Sequence, residues 1–310
     1  MVLPEVRALP AGPGVYRFRD ERGRALYVGR ATDLRRRVAS YWGDLRDRPH
    51  LRRMVPRIAR VEAVWCDSEH EAAWLERTLL EESPPRWNRT TGVESTVYIG
   101  LHPRLEVRHD PGEGPVFGPY LGGEKVRLAV AGLERALGLA YAGGRLGGFD
   151  RDMARVRGVE PGSRDDLVAE VAAVLGRDRA AAERVTKALA ERRDRAAAAL
   201  AFELAARIQA EIEALDWVTA EQKVAGSVPD CDIHGWSPVL GPGWDANSPA
   251  PDGILVSFTL RGGRVRSWTQ RRCAESAARV RVATTPAAWR TFADRNAALA
   301  ARLVQAARSA

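Results

Sequence analysis

The chain has 310 residues, 45% of them hydrophobic, with a formal net charge of +8 and an isoelectric point near 9.9. That content supports real cores in two or three domains, and no run approaches the length of a membrane span. Three cysteines, Cys66, Cys231 and Cys273, lie too far apart for a CxxC pair, which excludes a disulfide framework and a cysteine-metal motif.

Arginine supplies nearly all the positive charge, since lysine occurs only at Lys125, Lys187 and Lys223. The preference for Arg over Lys reads as base composition. Its placement is a separate matter: residues 1–60 hold fifteen Arg against six acidic residues, the imbalance of a polyanion-binding face. Arginine also offers a planar fork that grips phosphate oxygens in pairs.

The first elements follow a non-helical Pro/Gly stretch, Pro10-Ala11-Gly12-Pro13-Gly14. Val15-Tyr16-Arg17-Phe18 and Ala25-Leu26-Tyr27-Val28 are β-type runs separated by a charged turn containing Gly23, which predicts a hairpin. Asp33 is placed to cap an Arg-rich helix carrying Leu34, Val38 and Tyr41 on one face. Two tyrosines and several arginines thus meet at one end of a small β-β-α unit, an arrangement that suits a phosphate group.

Residues 51–59 predict a short helix, or one broken at Pro56, and 61–66 a third strand. Asp67-Ser68-Glu69 then provides start signals for a helix over 70–82 that Pro84-Pro85 ends. Ala72, Ala73, Leu75, Leu79 and Leu80 form its apolar face, with Glu71, Arg77, Thr78 and Glu81 on the other side. Glu76 falls in the middle of the apolar face. A carboxylate there needs a cation, and either a nearby Arg or a metal would serve.

Farther on, 121–176 predicts a small helical domain, and 183–220 an antiparallel helical pair with Leu200, Leu204, Ile208, Ile212 and Leu215 on one stripe. The stretch 226–252, dense in Gly, Pro, Asp and Ser, predicts a flexible loop. A hairpin turning at Gly262-Gly263 and a terminal helix over 286–308 complete the chain.

Taken together, Gly14-Val15-Tyr16, Tyr27-Val28-Gly29, the run from Arg30 to Tyr41, Glu71-Ala72-Ala73-Trp74-Leu75-Glu76 and Pro85-Arg86-Trp87-Asn88 resemble the GIY-YIG endonucleases. Within them they resemble the N-terminal region of the excinuclease subunit UvrC. The likeness continues through Thr96-Val97-Tyr98-Ile99 and Phe117-Gly118-Pro119-Tyr120, and Leu200 to Ile208 resembles the UVR motif that contacts UvrB.

This resemblance implies an α+β fold: a GIY-YIG domain over 1–95, built as a three-stranded antiparallel sheet with helices. A linker strand and helical domain would cover 96–182, a UVR-like hairpin 183–220, and a loop, β-hairpin and C-terminal helix 221–310. It implies catalytic roles for Tyr16, Tyr27, Arg30, Arg37, Tyr41, Glu76 and Asn88, with one divalent cation, Mg²⁺ or Mn²⁺, on Glu76. Tyr16 and Tyr27 would flank the attacking water, and Arg37 would stabilise charge on the phosphate. Arg35, Arg36, Arg52 and Arg53 are candidate DNA contacts, and Phe202, Leu204, Arg207 and Ile208 candidate contacts to UvrB. Position 30 departs from the family pattern, which usually has lysine there.

The UvrC region that binds an iron–sulfur cluster has its counterpart here without cysteines, so no such cluster is expected. The chain stops at Ala310, before the counterparts of UvrC's second nuclease domain and helix-hairpin-helix tail, as in the shorter Cho-like homologues. The expected activity is metal-dependent hydrolysis of double-stranded DNA near damage, one 3′-side incision in nucleotide excision repair, leaving a 5′ phosphate and a 3′ hydroxyl. A non-catalytic adaptor for DNA or UvrB is the alternative, and a sequence-specific nuclease a third reading. Met1-Val2-Leu3-Pro4-Glu5 lacks the basic start and apolar run of a signal peptide, so the expected location is the cytoplasm.

Overall fold

Asp20 begins the first turn: its Oδ1 accepts from the Arg24 N–H at 2.8 Å, and Gly23, at φ +75°, closes the reversal. The strands it joins are β1 (Gly14–Arg19) and β2 (Ala25–Ala31), after a short helix α1 (Glu5–Ala8). The structure is a computed structural model that describes residues 3–43, 45–46, 49–88, 94–101, 104–142, 147–157, 159, 163–221, 229–240 and 252–308. The chain divides into two compact units, Met1–Val93 with Gln222–Ala310, and Glu94–Glu221.

In the first unit β1 pairs antiparallel with β2 and with β3 (Arg60–Trp65), giving the strand order β2-β1-β3. Helix α2 (Leu34–Ala39) starts as expected at Asp33, whose Oδ1 accepts from the Arg36 N–H at 2.8 Å. A side chain on Gly14 would collide with the Val64 carbonyl and Leu34, so glycine lets α2 and β3 close on the start of β1. Residues 49–57 form two 3-10 turns, Pro49–Arg53 and Val55–Arg57, on either side of Met54 rather than one helix.

Helix α3 (Glu69–Glu82) is capped by Ser68, which accepts from the Glu71 N–H at 3.1 Å, while Glu71 Oε2 accepts from the Asp67 N–H at 2.6 Å. Glu71 and Thr78 are therefore not on a solvated flank. Both are buried, Glu71 by its capping role and by other elements of the unit that pack around α3.

The second unit has its own sheet, order β5-β4-β6, from β4 (Thr96–Gly100), β5 (Glu106–Arg108) and β6 (Val116–Leu121). Helices α4 (Gly123–Leu137), α5 (Gly148–Arg157) and α6 (Arg164–Leu175) follow, then the antiparallel pair α7 (Arg179–Ala198) and α8 (Phe202–Thr219). Val97, Ile99, Leu133, Val174, Leu189, Ile208 and Leu215 share its core. Arg135 fastens α4 to α8 by donating to both oxygens of the buried Glu211, at 2.6 and 2.9 Å.

The chain then returns to the first unit. Inside the stretch expected to be a loop lies β7 (Cys231–Pro238), and residues 226–228 and 241–251 of that stretch fall outside the described residues. Strands β8 (Asp252–Arg261) and β9 (Arg264–Ala274) add to it in the order β7-β8-β9, so the expected hairpin is two strands of a three-stranded sheet. Helices α9 (Glu275–Ala283) and α10 (Ala287–Arg308) follow. Gly235 of β7 meets the Ala293 backbone of α10, where any side chain would collide. Leu299 and Leu303 of α10 join Tyr16, Phe18, Leu34 and Val38 in one core. The Asn296 side chain binds the edge of β3, accepting from the Trp65 N–H at 2.7 Å and donating to the Trp65 carbonyl at 3.2 Å.

Candidate active site

Alternation along paired strands puts Tyr16 of β1 and Tyr27 of β2 on one face, with ring centroids 6.2 Å apart. The 3-10 turn after α2 delivers Tyr41, whose hydroxyl lies 2.6 Å from that of Tyr16. The Tyr41 ring also packs edge-on to Tyr27, centroids 5.9 Å apart. Gly29 sits opposite Tyr16, and a Cβ there would lie 2.5 Å from the Tyr16 hydroxyl and 2.7 Å from the Tyr27 ring. Glycine at this position is what allows the two rings to converge. Arg37, one turn along from the cap of α2, has its guanidinium carbon 5.9 Å from the Tyr41 ring centroid.

Glu76 reaches this cluster from α3. Its Oε1 accepts from the Arg30 backbone N–H at 3.1 Å, and its Oε2 lies 3.4 Å from Arg30 Nε. The carboxylate is partly open, 21% exposed, and the Arg30 side chain 37%. Asn88 is held differently: Oδ1 accepts from the Val28 N–H at 3.0 Å and Nδ2 donates to the Val28 carbonyl at 2.7 Å. Its amide thus pairs with the edge of β2 between Tyr27 and Gly29, a grip on the strand itself.

Burial drives the electrostatics of the tyrosines. Desolvation pushes Tyr16, Tyr27 and Tyr41 far above the ordinary value of 10, and their mutual proximity adds to the rise. The Glu76 charge raises Tyr27 further, while the Arg37 guanidinium opposes the rise at all three. All three hydroxyls therefore hold their protons at neutral pH. Among the described residues no group of three or more His, Cys, Asp or Glu side chains could hold a metal, so a cation on Glu76 would have fewer than three such ligands among them. One partly exposed carboxylate fits a hard divalent ion that keeps most of its water.

Residues 12–89 match the family model of the UvrC-like GIY-YIG domain. This segment is a GIY-YIG domain of the UvrC type. The chain is similar to the UvrABC system protein C of Mycobacterium tuberculosis, 31% identical over 291 residues covering 85% of this chain and 42% of that protein. The corresponding protein of Thermobifida fusca is 32% identical over 286 residues, with the same shares. That of Trichlorobacter lovleyi is 35% identical over 144 residues, covering 44% of this chain and 24% of that one. The chain thus spans less than half the length of these curated relatives. Among solved structures, the GIY-YIG N-terminal endonuclease domain of UvrC from Thermotoga maritima, described as bound to its catalytic divalent cation magnesium, is 28% identical. It covers 27% of this chain and 91% of that one, with a TM-score of 0.25.

Around the GIY-YIG centre, the arginines named as DNA contacts, Arg35, Arg36, Arg52 and Arg53, are all exposed, and Arg35 also donates its Nε–H to the Leu9 carbonyl at 2.8 Å. Arg53 lines a cavity of about 470 Å³ with Pro49, His50, Arg86 and Trp87, which the sequence reading did not assemble. Its signal was Arg86-Trp87 in the same motif as Asn88, set against the basic run 50–53. In the second unit Phe202, Leu204 and Arg207 are exposed on α8. Ile208, named with them as a partner contact, is 2% exposed and belongs to that unit's own core. No helix among the described residues is long and apolar enough to cross a membrane.

Proposed function

We propose that this chain is a divalent-cation-dependent endonuclease that cuts one strand of damaged double-stranded DNA, on the 3′ side of the lesion, in excision repair. The observation that carries the reading is the convergence of Tyr16, Tyr27, Tyr41 and Arg37 with Glu76 at one end of the sheet. Hydrolysis forms a bond from water oxygen to phosphorus and breaks the bond to the 3′ oxygen, leaving a 5′ phosphate and a 3′ hydroxyl. Tyr16 and Tyr27 orient the attacking water through hydroxyls that burial keeps protonated, so either acts as a base only where added positive charge brings its proton affinity down. Arg37 faces the charge that develops on the phosphate oxygens. Asn88 acts as a positioning residue, fixing β2 at Val28 and with it Tyr27. Magnesium or manganese held by Glu76 would polarise the phosphate and make bound water more acidic.

The proposal needs no iron–sulfur cluster, as the cysteines are Cys66, Cys231 and Cys273 alone. A contact to UvrB would use the exposed Phe202, Leu204 and Arg207 of α8. One observation favours the rival reading of a DNA-binding adaptor: the Arg30 guanidinium rests beside the carboxylate that a cation would need.

A nuclease assay with Mg²⁺ or Mn²⁺ on damaged and undamaged duplex, comparing wild type with Glu76→Ala, separates the two. The expected outcome is cleavage by wild type and a loss of at least about a hundredfold in the variant. Equal activity in both proteins overturns the assignment of Glu76, and DNA binding without cleavage by wild type establishes the adaptor.

A further inference from the structure

Both oxygens of Glu76 are engaged by one residue. Arg30 donates its backbone N–H to Oε1 at 3.1 Å and brings its own Nε to 3.4 Å from Oε2. The two contacts differ in kind. The backbone bond belongs to β2 and survives any change of side chain, so it orients the carboxylate permanently. The guanidinium sits at the end of a flexible, partly exposed side chain, and 3.4 Å is long for a charge-assisted contact. It is the one of the two that can leave.

Two cations cannot share a single carboxylate cheaply. A divalent ion on Glu76 would meet the guanidinium charge within a few ångströms, in a site where burial has already raised three tyrosines. A lysine could relieve such a clash by giving up its proton, but a guanidinium keeps its charge at any working pH. Arg30 must therefore swing away. The partner best suited to receive it is a phosphate diester, which accepts two parallel N–H bonds from the same fork.

We propose that Arg30 is the resident counter-ion of Glu76, displaced when the cation loads, and that DNA phosphate promotes loading by taking the guanidinium. Cation and DNA then bind with positive coupling, each raising the affinity for the other by the same factor. This inference rests on the reading that Glu76 holds the cation, and it gives residue 30 a role in when the cation is bound.

The test is Mn²⁺ binding to the full chain, followed by the paramagnetic resonance of free Mn²⁺, for wild type, Arg30→Gln and Glu76→Gln. Each is titrated alone and with a phosphorothioate duplex that resists hydrolysis, after subtraction of Mn²⁺ held by the duplex itself. Arg30→Gln is expected to bind Mn²⁺ about tenfold or more tightly than wild type without DNA. The duplex is expected to tighten Mn²⁺ binding at least about fivefold in wild type and by a smaller factor in the variant. Arg30→Lys, which serves should the glutamine variant melt early, can shed its proton beside a cation and is expected to fall between wild type and Arg30→Gln. Wild-type affinity in Arg30→Gln, with binding lost in Glu76→Gln, overturns the counter-ion role and leaves the cation site standing. Unchanged Mn²⁺ binding in Glu76→Gln sinks the cation site itself.

Discussion

Strand β1 carries two buried polar clusters on opposite faces, and they solve the cost of burial in opposite ways. On one face Tyr16 joins Tyr41 and Tyr27, all neutral hydroxyls in an aromatic cluster with Phe18. On the other, Arg17 and Arg19 converge with Arg60 on Glu62, at 2.7, 2.7 and 3.1 Å. Trp268 of β9 closes that face, its ring centroid 4.2 Å from the Arg17 guanidinium carbon and its carbonyl 3.2 Å from Arg17 Nη2. The tyrosine hydroxyls stay neutral beside the charges of Arg37 and Glu76, which suits the proposed chemistry. The arginine face is charged and internally paired from the start, which suits anchoring. One strand with period-two alternation therefore separates function from attachment residue by residue.

Breaking the anchoring face has the largest expected effect on the fold. Glu62→Gln leaves the largely buried Arg17 without its carboxylate, and about 3–5 kcal/mol of unfolding free energy should be lost, read from the urea midpoint. Burial disfavours ionised Glu62, but Arg17 and Arg19 outweigh it and hold the carboxyl below its ordinary value of 4.5. A depressed folded value means that this stabilisation is present above pH 4.5 and is lost as pH falls through the lower folded value. The gap between wild type and Glu62→Gln should thus narrow as the solution is acidified below that point. Glu5, raised by its own burial, has the opposite pH dependence, but it is common to both proteins and cancels in the difference. A gap under about 1 kcal/mol at pH 7 would assign the neutralisation of Arg17 to the Trp268 ring and carbonyl instead.

The tyrosine face was legible from sequence and the arginine face was not, for a physical reason. Tyr16, Tyr27 and Tyr41 come from elements close in the chain, and turn residues, strand alternation and the Asp33 cap set their relation locally. Alternating Arg17 and Arg19 with apolar residues reads as a solvated face, because its cover, Trp268, comes from a strand some 250 residues later. The same long-range packing hid β7, since the demand on Gly235 is made by the backbone of α10. It also misassigned Glu71 and Thr78, which a helical wheel places on the polar side of α3. Glu76 stood out because a lone carboxylate on an apolar stripe is anomalous, but its pairing with Arg30 needed coordinates. The apolar stripe read over 200–215 splits, with Leu200, just before α8, and Leu204 exposed and Ile208 and Leu215 buried, which no periodicity foretells.

The complementary cut is Tyr16→Phe on the other face. It removes the hydroxyl bond to Tyr41 and leaves the rings packed, so stability should fall by only about 1 kcal/mol. Cleavage should fall by about a hundredfold, equivalent to about 2.7 kcal/mol of barrier, in single-turnover assays at saturating Mg²⁺. A stability loss approaching that of Glu62→Gln would erase the contrast, making the hydroxyl network another structural anchor.

The smallest effect tests whether anchoring reaches the site at all. Arg264 of β9 lays its guanidinium over the Trp74 ring of α3, 4.3 Å from the centroid, two residues before Glu76. A partly exposed stacking contact of this kind contributes about 0.5–1 kcal/mol, so Arg264→Ala should shift the urea midpoint slightly. Since the Glu76 carboxylate is held by β2 through the Arg30 N–H, cleavage should stay within about twofold of wild type. A tenfold loss of cleavage with the midpoint unchanged would instead mean that the C-terminal sheet sets the angle of α3. The two faces of β1 would then be coupled through the helix that bears the carboxylate, and the division between chemistry and attachment would hold for the strand alone.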